Sequence, residues 1–216
     1  MREFIPFNPL DRKNLAASAA EALLTTEPEA LDTLEPLMGA GVYAIYYSGG
    51  FAPYEWVRKA NEEGQWRAPI YVGKAIPKGG RKGGFGLDAA TGTSLLTRLR
   101  KHAESIRAAS STLDIADFHC RFLVVDDIWI PLIENLMIAR FAPIWNNPVE
   151  GFGNHDPGAG RYNGLRPRWD VLHPGRAWAD KCKQRSETAE GISGEVEALL
   201  AARPTPSNDM IHPDGS

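Results

Sequence analysis

The sequence predicts an α/β fold, a small mixed β-sheet flanked by helices, with the elements in the order β-β-α-β-α. Three observations lead there. Two short runs rich in β-branched and aromatic residues, "GVYAIYY" (41–47) and "IYVG" (70–73), read as strands. Leu95, Leu99, Ala103 and Ile106 recur at helical spacing. A third strand-like run, "DFHCRFLVV" (117–125), is followed by the apolar helical stretch "DDIWIPLIENLMIARFAPIWNN".

In chain order, residues 12–38 are rich in Ala and Leu and read as helical, with breaks at Pro28 and Pro36. The first strand follows. A 48–69 insert carries Trp56 and Trp66, and "PYEWVRKANEEG" within it reads as a short helix closed by Gly64. The insert is expected to leave the core as a loop. After the second strand, "PKGGRKGGFG" (77–86) is too glycine-rich for regular structure and too basic for a plain linker. Thr and Ser then offer caps for a helix over 91–109. In the last core helix Asp127 is a candidate cap, Pro131 suits the first turn, and Pro143 marks the stop. Residues 151–185 combine Gly, Arg, Asn and Trp with little periodicity, so they must pack on something or bind something. Residues 186–202 read as one amphipathic helix, and 203–216 as disordered. The expected division is an N-terminal helical arm (1–38), a core (39–150), an extension (151–185) and a tail (186–216).

The chain has 216 residues and 43% apolar content, enough for a sizeable core. No apolar run is long enough to cross a bilayer, and "MREFIPFNPLDRKN" lacks a basic segment followed by an apolar one. Cys120 and Cys182 are far apart, without a C-x-x-C, which argues for reduced thiols in the cytoplasm and against a structural zinc site. The net charge of −3 hides two basic blocks. Residues 58–107 carry eleven basic and four acidic side chains, and residues 160–185 carry seven and two. They form either one polyanion-binding surface or two solvated faces that never meet.

The chemistry-bearing residues are scattered. Tyr43, Tyr46 and Tyr47 crowd one strand and Tyr71 sits on the next. Buried phenol hydroxyls need partners, so such a pair on neighbouring strands suggests a site. Arg98 and His102 stand at i and i+4, side by side along one edge of the apolar helical stripe, or else they are an ordinary surface pair. Glu134 interrupts a helix that is apolar nearly all round. A buried carboxylate needs a cation or hydrogen bonds, and a hard divalent metal is one such cation. The alternative is a first-turn Glu favoured by the helix dipole. Asn146 either caps the helix end or reaches toward a phosphate. "GLDAATGTS" lacks the lysine and glycine spacing of a P-loop, and Cys182 and His173 are too isolated for a thiol protease.

In order, these residues resemble the GIY-YIG nuclease superfamily. The name-giving triplets read Gly41-Val42-Tyr43 and Tyr71-Val72-Gly73, followed by Arg98-x-x-x-His102, Glu134 and Pro143-x-x-Asn146. The resemblance covers residues 39–148. The extension "GFGNHDPGAGRYNGLRPRWDVLHPGRAWA" is similar to that of a type II restriction endonuclease branch, whose members resemble enzymes cutting CCGCGG. The resemblance implies Tyr43, Tyr71, Arg98, His102, Glu134 and Asn146 around a scissile phosphate. It implies one Mg2+ held by Glu134, with Mn2+ as a substitute. Double-stranded DNA is the implied partner, contacted by Lys74, Arg81, Lys82, Arg161, Asn163, Arg166, Arg168 and Arg176. A palindromic target implies a homodimer, and a host carrying such an enzyme needs a cognate DNA methyltransferase. The rivals are a repair or homing nuclease, and a non-cleaving DNA-binding regulator on the same core.

Overall fold

A computed structural model describes residues 8, 10–76 and 92–204. Among the described residues four strands form one sheet: β1 (Glu29–Ala30), β2 (Gly41–Tyr47), β3 (Pro69–Ala75) and β4 (Phe118–Val124), in the spatial order β1-β4-β2-β3. Every ladder is antiparallel, which corrects the expected mixed sheet. The helical crossover after β3 does join two strands that run the same way, as such a crossover must. β2 lies between them, however, so the parallel pair never touches.

All seven residues of β2 are buried, because both faces of the sheet are covered. On one face Tyr43, Ile45 and Tyr47 pack against α3 (Ser94–Ala108) through Leu95, Leu99, Ala103 and Ile106, the stripe read from the sequence. The same core takes in Trp145, Phe152 and Trp169, and Ile192, Val196 and Leu200 of α6 (Ala189–Ala201). On the other face Ala44, Tyr46 and Val72 meet Ala20 and Leu23 of α1 (Arg12–Leu24), and Met137 and Phe141 of α4 (Ile130–Phe141). As the outer layer of that face, α4 is less enclosed than its composition suggests: Ile130, Met137 and Phe141 are buried, while Leu132, Ile133, Leu136 and Ile138 are only partly so.

The helical reading of 12–38 holds only as far as Leu24. Pro28 and Pro36 interrupt the remainder: β1 lengthens the sheet beside β4, a 3-10 turn follows over Leu31–Thr33, and Leu31 and Leu34 enter the core. The insert does contain its short helix, α2 (Glu55–Ala60), but it does not leave the core as a loop. Tyr54, Val57, Ala60 and Asn61 are buried. Asn61 Nδ2 donates to the carbonyls of Tyr47 and Ala68, and its Oδ1 accepts from the Ala68 N–H, each at 2.9 Å. One side chain thus ties the end of β2 to the start of β3.

After α4 the chain crosses from one face to the other around the edge of β3. The Trp145 N–H donates to Ile70 O at 2.9 Å, and Trp145 then enters the α3-side core. The extension continues there through α5 (Arg168–Leu172). Among the described residues no helix is long and apolar enough to cross a membrane.

Candidate active site

The β2–β3 register places Tyr43 opposite Gly73 and Ile45 opposite Tyr71. The Tyr43 ring therefore lies across Gly73: a Cβ there would meet the phenol oxygen at 2.4 Å and Tyr71 Cε1 at 2.9 Å. The glycine of the second triplet is the absence of a side chain that would displace the tyrosine of the first. α3 supplies Arg98 and His102 from above. The Tyr43 oxygen accepts from Arg98 Nε at 3.3 Å and lies 2.7 Å from His102 Nε2. Arg98 can only donate, so the phenol proton is directed to His102 Nε2. The Tyr71 ring is 6.3 Å from that of Tyr43 and 5.2 Å from that of His102.

Burial decides the electrostatics here. Desolvation, with Tyr71 next, holds the Tyr43 hydroxyl well above the usual phenol range; Arg98 opposes this and Glu134 adds to it. Burial also raises Tyr71, against the pull of Arg98. His102 lies well below the ordinary histidine range, first through burial and then through the charge of Arg98, so it is neutral and can accept a proton.

Glu134 reaches the site from the opposite layer, on α4. Its carboxylate pairs with Lys74 Nζ at 2.5 Å, and the Glu134 side chain keeps 14% of its exposure. It is near enough to both phenols to disfavour their anions. One accessible carboxylate suits a hard divalent cation that keeps most of its waters and takes phosphate oxygens as further ligands.

Asn146 does a different job from a free phosphate ligand. Its Nδ2 donates to Val72 O at 2.8 Å, and its Oδ1 accepts from Val72 N–H at 2.9 Å. Both amide groups serve the open edge of β3, so the side chain substitutes for a neighbouring strand between Tyr71 and Gly73.

Several contributors come from the extension and were not singled out in the sequence. Phe152 stacks on His102 at 4.5 Å and 21°, closing the imidazole from water. Gly153 O accepts from Arg98 Nη2 at 2.9 Å, and a Cβ on Gly153 would meet the Tyr71 hydroxyl at 2.5 Å. His155 Nε2 contacts Arg98 Nη1. "GFGNH" carries the signal in retrospect: two glycines flank an aromatic, and a histidine follows, in a segment with no periodicity to satisfy.

The residues expected to face DNA divide. Arg161 and Asn163 are exposed. Arg166 is paired with Asp180, and Arg168 with Glu187 and Glu195. Arg176 is buried and forms a two-pronged pair with Asp170, at 2.6 and 2.5 Å. It also donates to the carbonyls of Gly151, Phe152 and Asn154. With its donors spent and its faces on Trp169 and Trp178, Arg176 holds the 151–154 turn in place instead of facing a base. Arg81 and Lys82 lie outside the described residues. The two basic blocks adjoin at one place. Lys101 lines one surface depression of about 440 Å³ and Arg161 another of about 410 Å³, and these share Asn154, His155, Asp156 and Trp178.

Among curated proteins, none matches this chain. The family model described as the Eco29kI GIY-YIG domain matches residues 35–200, spanning β2 to β4, both core helices and the extension. The chain belongs to the Eco29kI GIY-YIG family, a nuclease family of the restriction type whose activity implies DNA binding.

Proposed function

We propose that this protein is a type II site-specific deoxyribonuclease that hydrolyses DNA phosphodiesters with one Mg2+ per active site. The observation that carries the reading is the joining of Tyr43 to a neutral His102 and to Arg98, beside a partly exposed Glu134. Phosphodiester hydrolysis needs an activated water, neutralised charge at phosphorus and a stabilised leaving oxygen. Glu134 would hold the ion, which supplies charge neutralisation at the leaving 3′ oxygen when bound.

Arg98 presents its planar fork to the phosphate oxygens. Tyr43 takes the proton of the attacking water while passing its own to His102 Nε2, so no free phenolate has to form in a buried place. The water oxygen bonds to phosphorus, the bond to the 3′ oxygen breaks, and that oxygen leaves to be protonated by solvent. Tyr71, without a base on its hydroxyl, positions the phosphate. Lys74, whose ammonium pairs with Glu134 at 2.5 Å, would serve as a contact to the DNA backbone.

Exposed Arg161 and Asn163 are the strongest candidates for reading bases, and arginine on guanine suits a GC-rich palindrome such as CCGCGG. Such a target favours a homodimer that cuts one strand per protomer, with a partner methyltransferase protecting host DNA in the same cytoplasm. Incubating plasmid with the protein and Mg2+, then sequencing the ends, tests the reading. Discrete fragments with common ends are expected. Smearing would contradict site specificity, and a gel shift without cutting would contradict hydrolysis.

A further inference from the structure

Arg98 is the pivot of the proposed chemistry, and in the free protein each of its guanidinium nitrogens has an acceptor. Nε is on Tyr43, Nη2 is on Gly153 O, and Nη1 is on His155 Nε2. Three of its five N–H donors are thus used, and a phosphodiester gains the whole fork only by taking the place of one of these acceptors. Tyr43 is fully buried. Gly153 O belongs to a turn whose neighbouring carbonyls, on Gly151, Phe152 and Asn154, are held by buried Arg176. His155 is the exception: an exposed side chain at the rim shared by the two depressions, free to rotate away.

We propose that His155 is a DNA-phosphate contact of the cleavage centre: its imidazole covers Arg98 in the free protein, cedes that place to a phosphate oxygen when DNA binds, and takes up one proton as it does so. The inference rests on the nuclease reading above. Its chemistry follows from donor and acceptor counting. Arg98 has no acceptor of its own, so His155 Nε2 must offer a lone pair, and the free imidazole is neutral. Partial burial, then Arg98, Lys101 and Arg176, hold it below the ordinary histidine range. Lys101 projects from α3 beside Arg98, and Arg176 lies beneath the turn. The adjacent Asp156 carboxylate is occupied by the Gly158 N–H and the Tyr162 hydroxyl. Among the described residues that line the same depression as Lys101, Glu104 is the other carboxylate. A phosphate in contact with Arg98 offsets the positive charge that kept the proton away. Once protonated, both ring nitrogens become donors, and the side chain passes from covering Arg98 to binding the same phosphate.

The test is DNA affinity against pH at fixed salt, since phosphate contacts make affinity salt-dependent. The probes are a short duplex carrying CCGCGG and a random-sequence duplex, with Ca2+ in place of Mg2+ to prevent cutting. Wild type is compared with His155→Gln, which keeps an acceptor but cannot titrate, and with His155→Ala. Wild-type affinity should fall roughly tenfold more than that of either variant between about pH 6 and 8. In NMR spectra the His155 ring should titrate at higher pH in the complex than in the free protein. Equal pH slopes in all three proteins, in a wild type that still cuts with Mg2+, would overturn the His155 assignment alone. A wild type that neither binds nor cuts duplex would overturn the nuclease reading and this inference with it.

Discussion

Replacing Gly73 with alanine isolates the contact on which the two triplets depend. The added Cβ would meet the Tyr43 phenol oxygen at 2.4 Å, its Cζ at 2.6 Å and Tyr71 Cε1 at 2.9 Å. Neither ring has room to yield. Tyr43 is fully buried beneath α3, and Tyr71 is wedged between His102 and Phe152, with ring centroids at 5.2 and 5.0 Å. Overpacking of this kind costs about 1–3 kcal/mol. The larger effect is on chemistry. Moving the phenol by an ångström breaks its 2.7 Å contact with His102 and its 3.3 Å contact with Arg98, and a displacement of that size costs on the order of 100-fold in rate. Thermal unfolding and single-turnover plasmid cleavage read the two effects separately. Adding Tyr43→Phe removes the nearest clashing atom, so the double variant should be less destabilised than the sum of the single ones. A Gly73→Ala protein with wild-type melting and wild-type cleavage would refute the reasoning.

Arg176→Met should destabilise by about 3–5 kcal/mol, because it leaves the buried Asp170 carboxylate without its cation; chemical denaturation measures this, and a loss below 1 kcal/mol would mean that the pair is dispensable. Asn146→Leu strips the hydrogen bonds from Val72 N–H and O and should cost about 1–3 kcal/mol, with slower cutting because Tyr71 and Gly73 flank the loosened position. Stability should fall with acid through two buried histidines. His102 is held far below its usual range, and burial pushes His173 down to about 3. The unfolded chain binds these protons first, so each group's contribution is complete above about pH 6.5 and is lost as pH falls, by about 1.4 kcal/mol per pH unit. Melting curves of wild type and His173→Gln between about pH 7 and 4.5 should therefore differ in slope, and parallel curves would contradict the assignment.

What was legible in the sequence was whatever local pattern determines. β2, β3 and β4 follow from short runs of β-branched and aromatic residues, α3 from helical spacing and α4 from its apolar run, and Arg98 and His102 are neighbours because four residues make about one helical turn. The antiparallel sheet was less accessible, since nothing local says that β2 inserts between β3 and β4. The insert was misread as a loop because its anchors are distant. The Tyr54 hydroxyl lies 2.6 Å from His173 Nε2, 119 positions away, and accepts from Trp145 Nε1 at 2.9 Å. Arginine alone does not announce its environment. Arg161 and Arg176 look alike in a Gly- and Trp-rich run, yet one is exposed and the other is spent on Asp170 and three carbonyls. Asn146 reads in the sequence as a helix-end cap or a phosphate contact, whereas its use on the edge of β3 depends on where the chain crosses the sheet.

The central claim is that Glu134 and Tyr43, arriving from opposite faces of the sheet, act on one phosphate. Single-turnover cleavage of supercoiled plasmid in Mg2+ by Glu134→Gln and Tyr43→Phe, with duplex binding measured in parallel, tests it most directly. Both variants should bind DNA near the wild-type level and fail to cut. Wild-type cutting by either one would contradict the account.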